Sequence, residues 1–450
     1  MIKDMNMQPN SKSYALQTDR YEFTMLDALV QAGQAEKRSV FEVFSRDLPN
    51  GRPFGVFAGI NRTLPKIDHF SFDDEILRFL KEEKIVSKDT LDYLSSFRFN
   101  GHVTSYQEGE IYFPNSPVVT VEATLGEALL LETLILSTIN FDSAIASAAV
   151  RIVLAAKGKF VMEAGSRRVD PEAAVNAARA AYIGGAHVTS NLEAGRKWGI
   201  PTAGTASHAF TLSFSSELEA FENQSKYLSE NSNFLVDTYD IETGIRNAVK
   251  ASNSKLKGIR IDSGDLVAAS KTARKLLDEL GAPQAQIMVS GDLDEFKILD
   301  LSQAPIDAFE SGHKLVTGSG AASAGFVYKL VARENHPKTE KMVPVEKKSE
   351  GKRSLGGKKI AKRKLRFDGI AIEESIFLDQ SVVQNTSGNA YRDLQSQIMR
   401  SGEYEDLLTV DDARNHLIKT ISEIPDEIRL RVNDEPAVPT IVYPVRPSND

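Results

Sequence analysis

The 450-residue chain contains no cysteine. That absence excludes disulfides, thiolate metal centres and a cysteine nucleophile, and it fits a reducing compartment such as the cytoplasm. Positive charge is also in deficit: 54 Lys and Arg stand against 62 Asp and Glu, a formal net charge of -8 with a pI near 5.6. A general nucleic-acid binder is thereby disfavoured, and no nucleic-acid partner is expected. Long uncharged apolar runs are missing too. The most apolar stretch, Leu125–Ile139, holds Glu127 and Glu132 and is too short to span a bilayer, so it is expected to be a buried helix with no membrane role. Met1–Asn10 has no extended apolar core and does not read as a signal peptide. No dinucleotide-type glycine fingerprint opens a strand–helix series.

What is present is concentrated in three turns. They read Arg260-Ile-Asp262-Ser263-Gly264-Asp265, Ser290-Gly291-Asp292 and Thr317-Gly318-Ser319-Gly320. Each follows a short apolar run read as a strand: Gly258–Ile261, Ile287–Val289 and Lys314–Val316. Their spacing of roughly thirty residues is that of one strand–helix unit in a parallel sheet. Small residues at the ends of parallel strands let backbone N–H groups reach an anion, and neighbouring carboxylates suit ribose hydroxyls or a metal ion. The combination points to a phosphorylated sugar.

The rest of the chain divides around these turns. Residues 1–124 mix short helices with strands punctuated by Gly and Pro, as expected of an α+β unit. Two apolar helices are expected at 125–139 and 142–157. From Lys159 the pattern becomes strand, turn, helix: Phe160–Glu163, Ala186–Thr189, Pro201–Ala203 and Leu235–Thr238 precede the three turns. Seven or so such units fit an irregular (β/α) barrel over 125–340 better than an open sheet. Residues 341–366 are dense in Lys and Arg, and 341–450 is expected to return to the N-terminal unit.

Several residues carry chemistry in these positions. His208 ends the run Gly204-Thr205-Ala206-Ser207-His208 just beyond a predicted strand, where barrel enzymes keep their reactive groups. Asp237 either orients an imidazole or caps the helix expected near Ile241. Arg167 and Arg168 either grip a carboxylate or phosphate or lie solvated at a helix start. Asp262 and Ser263 either contact a ligand or cap the helix from Leu266. A Schiff-base aldolase is disfavoured because no lysine ends a strand here.

In family order, Thr18-Asp19-Arg20-Tyr21, Glu163-Ala-Gly-Ser-Arg167-Arg168, Thr189-Ser190-Asn191-Leu192-Glu193-Ala194-Gly195, Gly204-Thr205-Ala-Ser-His208, Val236-Asp237-Thr238-Tyr239-Asp240 and the three turns resemble the motifs of nicotinate phosphoribosyltransferases of the type II phosphoribosyltransferase fold. The resemblance covers Thr18 to about Arg363. It implies transfer of phosphoribosyl from phosphoribosyl pyrophosphate to nicotinate, coupled to ATP and Mg2+, in a cytoplasmic homodimer with shared active sites. By the match, His208 is phosphorylated by ATP and Asp237 orients it. Arg260 and Asp262 hold the ribose and pyrophosphate with magnesium, Gly291 with Gly318, Ser319 and Gly320 cradles the 5-phosphate, and Ser263, Gly264 and Asp292 belong to the same phosphoribosyl pyrophosphate site. Asp19, Tyr21, Arg167 and Ser190 bind nicotinate, with Tyr21 stacking from the partner subunit. Ser190 favours nicotinate over nicotinamide, because the sister branch carries an aspartate there. Residues 341–366 are expected to close over the site when His208 is phosphorylated. The chain departs from the family at Ala164, where an aromatic is common. Nicotinamide phosphoribosyltransferase and another phosphate-binding barrel enzyme are the alternatives.

Overall fold

A computed structural model describes residues 13–228, 233–253, 255–335, 341–347, 355–378, 391–405, 407–433 and 435–444. Its centre is a parallel sheet in the order 188–189, 160–163, 308–311, 286–291, 258–261, 233–235. Thr202 adds a parallel bridge to Thr189 at the first edge. Followed around the ring, each strand neighbours the next in sequence, and the first, Phe160–Glu163, pairs with the last, Ala308–Ser311. That pairing closes a barrel-like ring with one seam, between Thr202 and the strand Asn233–Leu235. The strands are apolar where they face the packed layers: Val161, Phe234, Ile259, Ile261, Ile287, Val289 and Phe309 are buried.

The expected strand Pro201–Ala203 shrinks to the single bridge at Thr202, and two other expected strands shift. Leu235–Thr238 is replaced by Asn233–Leu235, so Asp237 and Thr238 lie in the loop past the strand. Lys314–Val316 is not a strand. The last strand is Ala308–Ser311, and Gly312 turns the chain into a short helix, His313–Val316, which buries Leu315 and Val316. A three-residue apolar run has no period of its own and takes whichever form buries it.

The second sheet is antiparallel, in the order 342–344, 326–334, 38–45, 119–124, 102–106, 395–400, 403–404. Both ends of the chain build it. Phe326–Glu334, expected within the barrel region, pairs instead with Arg38–Ser45. Gln395–Arg400 pairs with His102–Tyr106. A four-stranded sheet, 391–393, 360–365, 371–377, 440–443, covers it.

The apolar segment between the units breaks at Leu131, not near residue 140. Leu125–Leu130 starts from a capping box on Thr124 and Glu127, and a helix from Glu132 to Ala155 follows. Among the described residues this is the one helix long and apolar enough to cross a membrane. It is core: Asp142 is buried against Arg62 at 2.6 Å, and Ser143 and Ser147 accept from the Ala58 and Val56 amides at 2.9 and 2.8 Å.

The basic segment is only partly a surface loop. Lys359 is buried against Glu42 at 2.6 Å, Lys358 pairs with Glu122 at 2.5 Å, and Arg363 is fully buried between Glu374 and Glu423 at 2.6 and 3.0 Å. Closure of the whole of 341–366 is therefore overturned for 358–365, because those cations are already committed to sheet carboxylates. Ser349, Gly351 and Lys352 lie outside the described residues.

Candidate active site

The carboxyl ends of the parallel strands gather His208, Asp237, Asp262 and Ser263. Helix caps explain why these side chains are available. Asp240 caps Ile241–Ala251 by accepting from the Thr243 amide, Asp265 caps Leu266–Glu279, and Asp170 caps Pro171–Ile183. The capping roles considered for Asp237, Asp262 and Ser263 thus belong to other aspartates.

Asp237 is almost completely buried. Its Oδ2 accepts from the Asp262 amide at 2.9 Å and from the Ser263 hydroxyl at 2.8 Å. Its Oδ1 has no hydrogen-bond partner and lies 3.7 Å from Nε2 of His208. That separation is longer than a hydrogen bond. The half-exposed imidazole meets Thr238 Oγ1 through Nδ1 at 3.1 Å. The contact crosses the barrel seam, joining the loop after Thr202 to the loop after Leu235.

Arg260 crosses the same seam. Its guanidinium pairs with Glu310 at 3.0 Å and donates to Thr205 Oγ1 and the Ala206 carbonyl at 3.3 and 3.1 Å. It lines a cavity of about 220 Å³ inside the barrel with Met162, Met288 and Glu310. This partly buried guanidinium is already engaged by Glu310 and by the loop that carries His208. Its Nε has no partner. Asp262 and Asp292 are exposed, and Ser290 Oγ donates to Asp262 Oδ1. Residues 262–267 and 290–293, with Lys297, line a cavity of about 430 Å³. Gly291 has φ of +129° and Gly264 +85°, conformations that L side chains rarely adopt.

The third turn comes from the end of the barrel but is held by the other unit. Gly318, Ser319 and Gly320 have φ of 68°, 53° and 89°. Arg52 donates to the Gly318 carbonyl at 2.6 Å, Asn50 donates to the Ser319 carbonyl at 3.3 Å, and the Ser319 hydroxyl donates to Glu295. Sequence reasoning missed Arg52, Asn50 and Glu295. Arg52 and Asn50 lie in a Pro-Asn-Gly turn of the N-terminal unit, with no strand-end pattern to mark them.

The turns that carry Arg167 and Ser190 are tied together through Glu163. The carboxyl of Glu163 accepts from the Gly165 amide and from Thr189 Oγ1, and its backbone carbonyl accepts from the Ser190 amide at 2.8 Å. Burial, and beyond its hydrogen bonds the nearby Glu310 carboxylate, raise its pKa. Asn191 Nδ2 donates to Ser166 Oγ at 3.0 Å, tying the two turns again. Arg167 and Arg168 are exposed in a turn closed from Arg168 N to Gly165 O at 2.8 Å. Asp19 and Tyr21 are exposed at the start of Arg20–Gln31, which packs on Lys88–Ser95 and Leu125–Leu130 in the N-terminal unit. Among the described residues no group of three or more metal-binding side chains forms a metal site by itself.

A sequence-ordered parallel ring with glycine turns past its strands, covered by an antiparallel unit from both chain ends, is a phosphoribosyltransferase-type architecture. The family model for the quinolinate phosphoribosyl transferase C-terminal domain matches residues 145–319, and that for the nicotinate phosphoribosyltransferase N-terminal domain matches 16–140. The chain belongs to the nicotinate phosphoribosyltransferase family: it is 42% identical to the nicotinate phosphoribosyltransferase pncB1 of Mycobacterium tuberculosis over 97% of this chain and 96% of that one. The Bacillus subtilis nicotinate phosphoribosyltransferase is 38% identical, over 77% of this chain and 73% of its own length. In fold, the chain resembles human nicotinic acid phosphoribosyltransferase, with a TM-score of 0.77 and 24% identity, covering 95% of this chain and 98% of that one.

Proposed function

We propose that this chain transfers the 5-phosphoribosyl group of phosphoribosyl pyrophosphate to the ring nitrogen of nicotinate, giving nicotinate mononucleotide and pyrophosphate for NAD salvage in the cytoplasm. The bond from the anomeric carbon to pyrophosphate breaks as the bond to the ring nitrogen forms. The nitrogen attacks with its own lone pair, so no strong base is required. The site's task is alignment and stabilisation of the leaving charge. In this reading Asp262 and Ser263 hold the ribose and pyrophosphate, and the Gly318–Gly320 turn holds the 5-phosphate. In the same reading Arg167 and Ser190 face the carboxylate of nicotinate.

Magnesium fits this donor set as a substrate-borne ion. Mg2+ takes one or two carboxylates and completes its shell with phosphate oxygens and water. Asp262 and Asp292 are exposed beside the turn cavity and would hold it. When bound it would neutralise charge on the pyrophosphate.

The ATP-coupled part of the reading rests on Asp237. A buried carboxylate fixes the Asp262–Ser263 turn with one oxygen and faces His208 Nε2 with the other. Closing that gap would place the proton on Nε2 and leave the Nδ1 lone pair to attack the γ-phosphorus of ATP, with ADP departing. Phosphorylation at Nδ1 would break the contact with Thr238 and add charge beside the Asp262 turn. Water later hydrolyses the phosphohistidine.

The test supplies phosphoribosyl pyrophosphate, Mg2+ and ATP, with nicotinate and nicotinamide in parallel. Nicotinate mononucleotide together with ADP and acid-labile phosphate on His208 is the expected result. Nicotinamide mononucleotide alone would move the chain to the sister activity, and no product from either base would overturn the reading.

A further inference from the structure

Beneath the Gly318–Gly320 turn lie two buried guanidiniums and one carboxylate. Arg52 and Arg151 are 3% and 2% exposed, and Glu295 is 4% exposed. Arg151 Nε pairs with Glu295 Oε1 at 3.2 Å, and its two terminal nitrogens donate to the carbonyls of Arg429, Leu430 and Arg431. Glu295 Oε2 accepts from Ser319. Arg52 reaches the turn from the other unit, donates to Gly318, and leaves its Nε buried without a partner. Arg52 and Arg151 against Glu295 leave this cluster with one excess positive charge. Burying an uncompensated cation is unfavourable, and burial lowers the affinity of Arg52 for its proton. A carbonyl acceptor such as Gly318 needs only a neutral donor, so the hydrogen bond by itself does not call for a buried cation.

We propose that Arg52 is a positioning residue for the 5-phosphate of phosphoribosyl pyrophosphate, acting through the Gly318–Gly320 turn. Its hydrogen bond pins the carbonyl side of the turn, and its charge remains uncompensated until a phosphate dianion occupies the opposite side. In a water-poor setting that charge attracts the anion more strongly than an exposed one would. The N-terminal unit thus contributes to phosphate affinity without touching the substrate. The proposal rests on the reading of this turn as the 5-phosphate cradle.

The experiment measures KM for both substrates, and the rise in unfolding temperature on adding ribose 5-phosphate, in three variants. Arg52→Gln removes the charge and leaves a shorter polar side chain under the turn. Its KM for phosphoribosyl pyrophosphate should rise roughly tenfold, with KM for nicotinate within about twofold and stabilisation by ribose 5-phosphate lost. Glu295→Gln makes the cluster more positive and should bind ribose 5-phosphate a few-fold more tightly. Tighter binding is a result that structural damage does not produce, so this variant decides even if Arg52→Gln fails to fold. Weaker or unchanged ribose 5-phosphate binding in Glu295→Gln, or an equal rise of both KM values in Arg52→Gln, overturns the proposal. Gly320→Ala strains the turn directly. If it raises KM for phosphoribosyl pyrophosphate while Arg52→Gln does not, the cradle stands and the role of Arg52 falls. If neither changes it, the cradle reading falls and the proposal with it.

Discussion

Oδ1 of Asp237 lies 3.7 Å from Nε2 of His208, while Oδ2 of the same carboxylate holds the Asp262 amide and the Ser263 hydroxyl at 2.9 and 2.8 Å. One buried side chain therefore joins the histidine on one side of the barrel seam to the turn read as the ribose site on the other. Its charge and its two oxygens have separable consequences.

Asp237→Asn keeps the shape and removes the charge. The amide oxygen will remain on the Asp262 and Ser263 donors, so its NH2 will face His208 and drive the ring proton to Nδ1. ATP-dependent stimulation should fall by roughly a hundredfold or more, while transfer without ATP falls much less. The readout is ADP released per nicotinate mononucleotide. His208→Ala should give the same uncoupled phenotype. Equal coupling in the Asn variant and the unmodified enzyme would remove Asp237 from the phosphorylation step.

Asp19 and Tyr21 sit on the N-terminal unit, and a shared site requires them to act on the barrel of a second copy. Tyr21→Ala and His208→Ala chains should each lose coupled activity. Co-refolded at equal amounts, they should recover about a quarter of it, since half the dimers carry both chains and each of those has one intact site. No recovery in a mixture shown to contain heterodimers would place Tyr21 and His208 in the same chain's site or outside a site altogether.

Ser190 follows Thr189, and its amide is fixed to the Glu163 carbonyl at 2.8 Å. Ser190→Asp adds a carboxylate where the substituent of the pyridine ring is read to lie. KM for nicotinate should rise at least about tenfold by like-charge repulsion, while use of nicotinamide improves. Unchanged selectivity would show that the base binds elsewhere.

Acid stability should depend on Glu110. Burial opposes its charge, but hydrogen bonds from His416 and Arg392, together with the charges of Arg363 and Arg392, bring its pKa down to about 2. A carboxyl with a depressed folded pKa stabilises fully above its unfolded value near 4.5 and loses that contribution as pH falls through about 2. Denaturant unfolding should find Glu110→Gln less stable at neutral pH, on the order of a few kcal/mol, with the gap narrowing between those two pH values. A gap independent of pH would mean that Glu110 contributes by packing alone.

Much of the barrel was legible because its signals are local. Gly258–Ile261 is a four-residue strand as expected, and the helix from Pro171 begins where proline suits a first turn. Failures fell where tertiary contacts choose the form. Lys314–Val316 has the composition of a strand but follows Gly312 and folds as a helix over the apolar layer. Phe326–Glu334 lies within the region expected to form the barrel, and nothing along the chain indicates that its partner is Arg38–Ser45, almost three hundred residues away. The same holds for Lys359 and Arg363. Their density of charge resembles a solvated loop, and only the positions of Glu42 and Glu374 bury them.

The sequence by itself determined the chemistry of this protein: the histidine after a strand, the Asp-Ser-Gly-Asp turn and the glycine turns all occur within a few residues of the elements that present them. Tertiary structure decided how those groups are used. It gave the capping duties to Asp240 and Asp265, leaving Asp237 and Asp262 outside the helix caps. It tied Arg260 to Glu310, and it brought Arg52 from the far unit under Gly318. The physical reason is one of range. Periodicity, caps and turns act over a few residues, whereas buried charges take whichever partners the closed fold brings within reach.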